Sequence, residues 1–388
     1  MSADVQSRAA GLHLYLAECR ALALEEIRRV MPADAKLGPI LYDLVLDYPL
    51  RDAKGLRPAL CLATCRALGG SEAGALPTAA ALELYHNAFL VHDDVEDGSL
   101  LRRDAPTLHR QHGTPIAINV GDTMLALAMI PLVENTKAIG LGKSLRVFQV
   151  IAQMARETAE GQALELDWIR RNEWEVTNDD YREMVVKKTG WYSFIAPVTL
   201  GAIVGGATAS QLATLEEFAR ELAIAFQIRD DTLNLGFANG DYGKEQNGDL
   251  WEGKRTLVLL HSLRVSSPEQ RARARHILSL PRAAHPDRHL DGSLFADLVR
   301  SGDLTLRGRD VLAQRVATEV AGAKTEEDVH WLFQLVTENE SIRYADDIGR
   351  VHARRAAELL DDAAEWLPHS SHRDLLTALV EFTVARDR

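Results

Sequence analysis

In the stretch HDDVEDGSLLRR, Asp93 and Asp94 are adjacent and Asp97 lies four positions after Asp93. Residues four apart share one face of a helix, so Asp93 and Asp97 stack one turn apart. Like charges at that spacing repel by about 0.2–0.5 kcal/mol per pair. A helix end carrying Asp93, Asp94, Glu96 and Asp97 therefore needs a reason. Mg²⁺ supplies one, because it takes carboxylate oxygens together with substrate phosphate oxygens. Arg102 and Arg103 follow at once, and their planar forks suit phosphate. The stretch FQIRDDTLN repeats the geometry with Asp230, Asp231 and Asn234, and Lys244, Asp249, Lys254 and Arg255 come after it. One such cluster reads as a solvated acidic helix end. Two of them, each ending an apolar helix and each followed by basic residues, read as a metal–diphosphate site held between facing helices.

The elements that must present these clusters have helical period almost throughout. In Ala79–Val91, Leu82, Tyr85 and Phe89 recur at three- and four-residue steps. The same period runs through Leu145–Ile169, Gln211–Leu235 and Ile342–Trp366. Gly69-Gly70, Gly98, Gly113-Thr114-Pro115, Gly205-Gly206 and Gly236–Gly243 punctuate the segments, as helix stops and loops should. Thr177 and Thr325 each precede acidic residues and read as N-caps. From Pro281 to Gly308, prolines, turn residues and His285 and His289 read as a loop insertion with a short helix near Leu294–Arg300. No linker or repeat appears, so we expect one large helical domain, residues 1–388.

Further polar residues lie on or beside the apolar helices. Lys54 and Arg57 open a helix ahead of the first cluster; Lys187 and Lys188 lie in VVKKTGW. His86 precedes Asp93 on the same helix, and Gln162 and Gln227 are polar residues within apolar surroundings. Taken singly, the cations read as surface charge and the others as satisfied interior groups.

Composition sets the outer bounds. The chain has 388 residues, 44 Lys+Arg against 56 Asp+Glu, and a formal net charge of −12. That balance disfavours a nucleic-acid binder, which carries a basic face. Hydrophobic residues make up 46%, enough for a large core. The three cysteines, Cys19, Cys61 and Cys65, fit a reducing, cytoplasmic setting rather than a disulfide scaffold, and Cys61 and Cys65 read as buried apolar positions. The N-terminal residues lack signal-peptide character, and no charge-free run of membrane-spanning length is expected.

The stretches KGLRPAL, LELYHNAFLVHDDVEDGSLLRRDAPTLH, AEGQALEL, KKTGW, FQIRDD, GK and GDLWEGKRT follow one another in the order found in the trans-isoprenyl diphosphate synthases, or polyprenyl synthetases. The chain resembles that family from about Lys54 to Thr256. The resemblance implies an all-α helical bundle around a central cavity. It implies that Asp93, Asp94, Asp97, Asp230 and Asp231, with Asn234, bind three Mg²⁺ that bridge an allylic diphosphate. It implies that Arg102, Lys188, Lys244 and Lys254 hold that diphosphate, and that Lys54, Arg57, His86 and Arg103 hold isopentenyl diphosphate. Thr189 and Gln227 would line the reaction centre, and a homodimer is the family expectation. Three positions depart from the family pattern. Gly55 stands where many members have Arg or Lys, Asp104 where glycine commonly follows the arginine pair, and Asn234 where a third aspartate is usual; the last resembles geranylgeranyl diphosphate synthases.

Phe89 and Tyr85, four and eight residues before Asp93, are expected to point down the cavity and form a floor; Ala88 between them is small. We expect a short-chain product, C20 ahead of C15. Two other readings stay open at this point: a terpene cyclase of the same fold, which ionises a prenyl diphosphate without condensation, and a non-catalytic subunit of a heteromeric synthase. The absence of a cyclase-type second motif after Asp230, and the intact aspartates, weigh against each in turn.

Overall fold

The computed structural model describes residues 3–34, 36–236, 247–281, 298–301, 303–311 and 322–385. Its helices are α1 (Ala3–Val30), α2 (Asp43–Leu50), α3 (Leu56–Ala67), α4 (Glu72–Glu96), α5 (Leu108–His112), α6 (Thr114–Glu134), α7 (Thr136–Arg171), α8 (Asn178–Val185), α9 (Ala196–Gly205), α10 (Ala209–Gly236), α11 (Gly248–Glu252), α12 (Leu257–Val265), α13 (Pro268–Ser279), α14 (Glu326–Glu338), α15 (Ser341–Asp362) and α16 (Ser371–Ala385). Among the described residues, the one sheet is a minimal hairpin, β1 (Leu101–Arg102) paired antiparallel with β2 (Ala105–Pro106). The expected all-α architecture is therefore the observed one.

The helix that ends in the first cluster sits in the middle of the packing. Along α4, Ala75, Ala79, Ala80, Ala81 and Ala88 are fully buried. These small side chains let α3, α6 and α9 approach its flanks. The helix ending in the second cluster, α10, packs along α15. Thr177 and Thr325 both form capping boxes, with Asp180 and Asp328 respectively, each device being worth about 1 kcal/mol. The three cysteines are buried and free. By length and composition α6 would cross a membrane; it packs along α4, with Val120, Met124 and Ala128 buried. Of the expected insertion, 282–297 lie outside the described residues, His285 and His289 included. Residues 298–301 and 306–311 are helical.

Between α8 and α9 the chain forms a ten-residue π-helix, Val186–Ile195. A period of 3.6 does not anticipate it, and such bulges gather at functional sites. It carries Lys188 and Thr189. Gly161 of α7 sits against it so closely that a Cβ there would lie 2.2 Å from the Lys188 backbone nitrogen.

Candidate active site

The ends of α4 and α10, the π-helix and the segment around Lys254 enclose a cavity of about 350 Å³. Of the residues expected from the sequence, Arg57, His86, Phe89, Asp93, Arg102, Lys188, Thr189, Gln227, Asp230, Asp231, Asn234 and Lys254 line it. Lys54, Tyr85, Ala88, Asp94, Asp97 and Arg103 lie outside its lining. Lys244 lies outside the described residues.

The structure divides the first cluster. Asp93 and Asp97, one helical turn apart, meet lysines brought across the cavity. Lys188 Nζ lies 3.3 Å from Asp93 Oδ1, and Lys254 Nζ lies 3.1 Å from Asp97 Oδ2. Burial raises the Asp93 carboxyl, but Lys188, Lys254 and Arg102 outweigh it and hold the group well below the usual carboxylate range. For Asp97 burial wins over the pull of Lys254, and the Asp93 charge adds to it, so the group rises to about 7. Asp94 points elsewhere. Its Oδ1 accepts from Arg102 Nε at 3.0 Å and also from Arg102 Nη2, and its Oδ2 accepts from the Tyr48 hydroxyl at 2.6 Å. With both oxygens occupied and the side chain buried, Asp94 is placed to aim Arg102 and not to ligate a metal, which differs from the expectation for the motif as a whole.

The second cluster follows a similar plan. Asp231 Oδ2 accepts from the Tyr181 hydroxyl at 2.6 Å and Oδ1 from Gln227 Nε2 at 2.8 Å. Burial raises its carboxyl to about 7, those two hydrogen bonds oppose the rise, and the neighbouring Asp230 charge adds to it. Asn234 Oδ1 accepts the Asp249 amide at 3.1 Å, so its expected ligand oxygen ties α10 to α11.

Among the described residues, no three acidic, histidine or cysteine side chains converge to form a ready-made metal cage. The donor set still suits a hard divalent cation, since carboxylate oxygens from two helices face one cavity with lysines between them.

The other end of the cavity is cationic. Arg57 lies over the Tyr192 ring, 4.8 Å from its centroid, and donates to Ser193 Oγ at 2.7 Å. His86 stacks on Tyr192 at 5.6 Å. Burial, with Arg57, Arg103 and Arg102 nearby, pushes the His86 imidazole well below its ordinary value, so it is neutral. His86 Nδ1 and Arg57 Nε are buried without a protein partner, an arrangement suited to an anion carrying its own acceptor oxygens. Lys54 instead lies over the Phe382 ring at 5.0 Å. Gly55 has φ +67, and a Cβ there would lie 2.6 Å from Arg20 Cβ, so the close approach of α1 excludes the larger residue usual in the family.

The structure adds Glu165, Tyr48 and Tyr181 to the site's polar residues and gives Arg255, one of the basic residues after the second cluster, a structural role. Glu165 pairs with Lys188. Arg255 is 1% exposed and donates to the carbonyl oxygens of Glu173 and Gly253 at 2.9 and 2.6 Å, fixing the segment that presents Lys254. An acid on an otherwise apolar helix face was the available signal for Glu165. Tyr48 and Tyr181 gave none, because nothing in the spacing around either tyrosine marks its hydroxyl as a partner for a distant aspartate.

Known proteins can now be set beside this geometry. Residues 39–290 match the model of the polyprenyl synthetase family. The chain belongs to the polyprenyl synthetase family. A short chain isoprenyl diphosphate synthase of Methanothermobacter thermautotrophicus is 36% identical over 255 residues, 63% of this chain and 76% of that protein. A geranylfarnesyl diphosphate synthase of Aeropyrum pernix is 33% identical over 301 residues, 74% of this chain and 90% of that protein. The crystal structure of a geranylgeranyl pyrophosphate synthetase from Pyrococcus horikoshii superposes with a TM-score of 0.78 at 29% identity, covering 97% of this chain and 98% of that one. A polyprenyl synthase from Caulobacter crescentus, complexed with calcium and isoprenyl diphosphate, gives 0.75 at 26% identity, covering 98% of both chains. As a polyprenyl synthetase, the chain is a short-chain trans-prenyltransferase acting on prenyl diphosphates.

Proposed function

We propose that this polyprenyl synthetase condenses an allylic diphosphate with isopentenyl diphosphate in a Mg²⁺-dependent reaction whose main product is the C20 geranylgeranyl diphosphate, with C15 farnesyl diphosphate next. The observation that carries the reading is one cavity with carboxylates from α4 and α10 at one end and Arg57 and His86 at the other. Asp93 and Asp97 of α4, with Asp230 and Asp231 of α10, would hold the three metal ions that neutralise the allylic diphosphate. Mg²⁺, when bound, neutralises negative charge developing on the leaving diphosphate. Arg102, Lys188, Lys254 and Lys244 hold the same group by direct charge-assisted hydrogen bonds.

Isopentenyl diphosphate takes the cationic end, where Arg57 and the neutral His86 have nitrogens without protein partners, with Arg103 and Lys54 contributing charge. Thr189 and Gln227, both in the cavity lining, are assigned to the reaction centre. When the allylic C–O bond breaks, its electrons leave with the diphosphate. The isopentenyl double bond then attacks the allylic carbon, and the proton lost from the new chain passes to the released diphosphate. Phe89, Leu90, Met184, Val185 and Phe226 make the cavity wall apolar, which keeps water from the cation.

Phe89 supports the chain-length assignment. It lines the cavity and packs on Tyr192 and Tyr85, with ring centroids 5.6 and 6.0 Å away, and is assigned as the floor, with Tyr85, outside the lining, supporting it. Phe89→Ala should lengthen the product by at least one isoprene unit on chromatography, and an unchanged length would overturn the floor. The chain is taken to work as one domain in the cytoplasm. It also pairs as a homodimer through the exposed apolar row Ile118, Met129, Ile130, Val133, Leu141 and Leu145, which sedimentation equilibrium would test. The reaction itself is tested by chromatography of products from dimethylallyl, geranyl and farnesyl diphosphates. Each is supplied with and without isopentenyl diphosphate, in Mg²⁺ and in chelator. A C20 diphosphate only with isopentenyl diphosphate and Mg²⁺ is expected; hydrocarbon from an allylic diphosphate alone would overturn the reading.

A further inference from the structure

Neither Tyr48, on α2, nor Arg51, just beyond it, lines the cavity, yet between them they bond Asp94, Arg103 and the hairpin that carries Arg102 and Arg103. The Tyr48 hydroxyl donates to Asp94 Oδ2 at 2.6 Å and accepts the Leu108 amide at 3.2 Å. The Tyr48 carbonyl oxygen accepts from Arg103 Nη1 at 2.8 Å. Arg51 is anchored on Asp47 at 2.7 Å and lies 4.4 Å from the Tyr48 ring centroid. Its guanidinium donates to the Arg102 and Pro106 carbonyl oxygens at 2.9 Å each, and to that of Ala105 at 3.4 Å. It thus grips both strands of the β1–β2 hairpin.

That hairpin needs holding. Its two turn residues, Arg103 and Asp104, have φ values of 53° and 58°, the left-handed geometry that a two-residue hairpin turn demands and that favours Gly or Asn. Two side-chain-bearing residues keep such a shape only where the surroundings over-determine it. Arg102 depends on Tyr48 as well, because it is bonded to the fully buried Asp94, whose Oδ2 takes its short hydrogen bond, 2.6 Å, from the tyrosine and only a longer one, 3.2 Å, from Arg102 Nε. Loss of that hydroxyl would leave a buried carboxylate one donor short, held by Arg102 alone, so that the pair could shift together.

We propose that Tyr48 and Arg51 are positioning residues for the diphosphate-binding arginines. Tyr48 locks Asp94 against Arg102 and receives Arg103, while Arg51 holds the turn in the shape that keeps both guanidiniums in place. The proposal rests on the reading that Arg102 and Arg103 bind diphosphate. It is tested by titrating inorganic diphosphate, at saturating Mg²⁺, into the full-length wild type and into Tyr48→Phe, Arg51→Lys and Arg102→Ala. The melting transition and the KM and kcat of each variant are recorded alongside. Tyr48→Phe and Arg51→Lys are each expected to weaken diphosphate binding by about 10-fold and to raise KM more than they lower kcat, while still melting cooperatively. Should one of them fail to fold, the other carries the test. If Arg102→Ala loses binding while both other variants bind like wild type, the proposal is overturned and the diphosphate reading stands. If Arg102→Ala itself binds like wild type, the reading beneath the proposal falls.

Discussion

At the end of α4, Asp94 takes one hydrogen bond from a buried tyrosine and its others from the cation Arg102; at the end of α10, Asp231 takes the same bond from a buried tyrosine and its other from the neutral amide of Gln227. Both tyrosine bonds measure 2.6 Å. The partners differ in charge, and this has consequences. At the first cluster a buried carboxylate is paired with an arginine and directs it. At the second, a buried carboxylate pairs with no cation among the described residues, and its pKa climbs to about 7. The same sequence pattern thus serves as an ionic brace on one helix and as a near-neutral hydrogen-bonded brace on the other. In each pair, the first aspartate faces the cavity.

The largest expected effect concerns those first aspartates. Asp93→Ala and Asp230→Ala should each lower the steady-state rate by about 10³-fold, the scale for losing a principal electrostatic contact to the transition state. Loss in only one of them would break the parallel between the clusters.

Next come the second aspartates, where the two clusters should part. Asp94→Asn leaves the Arg102 guanidinium with only the more distant Asp93, 3.6 Å away, as counter-charge and should cost about 3 kcal/mol of stability. Asp231→Asn replaces a group that is half protonated near neutrality, so its denaturation midpoint should move little. Equal losses in chemical denaturation would remove the distinction drawn above.

A smaller, pH-dependent effect sharpens the same point. Asp97 and Asp231 both have folded-state values raised to about 7, above the ordinary carboxylate value. A raised acid favours the protonated folded state, so the stability it contributes is present at low pH and lost as pH rises through about 7. In chelator, the melting temperature should therefore increase between pH 8 and pH 6, by at most about 1.4 kcal/mol per pH unit for each group. Asp231→Asn should remove part of that slope, and Mg²⁺, which requires ionised carboxylates, should flatten it. A metal-free melting temperature that falls over the same range would contradict the assignment.

Much of this site was legible in the sequence because its chemistry lies in local spacing. Asp93 and Asp97 share a face by helix geometry alone, and Arg102 and Lys254, which follow the two clusters in sequence, line the cavity. The capping boxes at Thr177 and Thr325 were legible for the same reason. What stayed hidden depends on contacts between distant residues. Nothing near Tyr48 reveals that its hydroxyl meets Asp94, and nothing in KKTGW reveals a π-helix, which depends on the packing of Gly161 against Lys188. The departure at Gly55 becomes intelligible only with Arg20 of α1 against it, and Asp104 proves to be an exposed turn residue. Asn234 satisfies the ligand pattern by type, yet its oxygen accepts a backbone amide, a contact that depends on how the chain returns after α10.

The central claim is that the two clusters form one diphosphate site across the cavity. Calorimetric titration of inorganic diphosphate, with and without Mg²⁺, into wild type, Asp93→Ala and Asp230→Ala tests it most directly. The account predicts tight binding by wild type only in the presence of Mg²⁺, and comparable loss in both variants. Binding that is indifferent to Mg²⁺, or that survives the loss of either cluster's first aspartate, would contradict it.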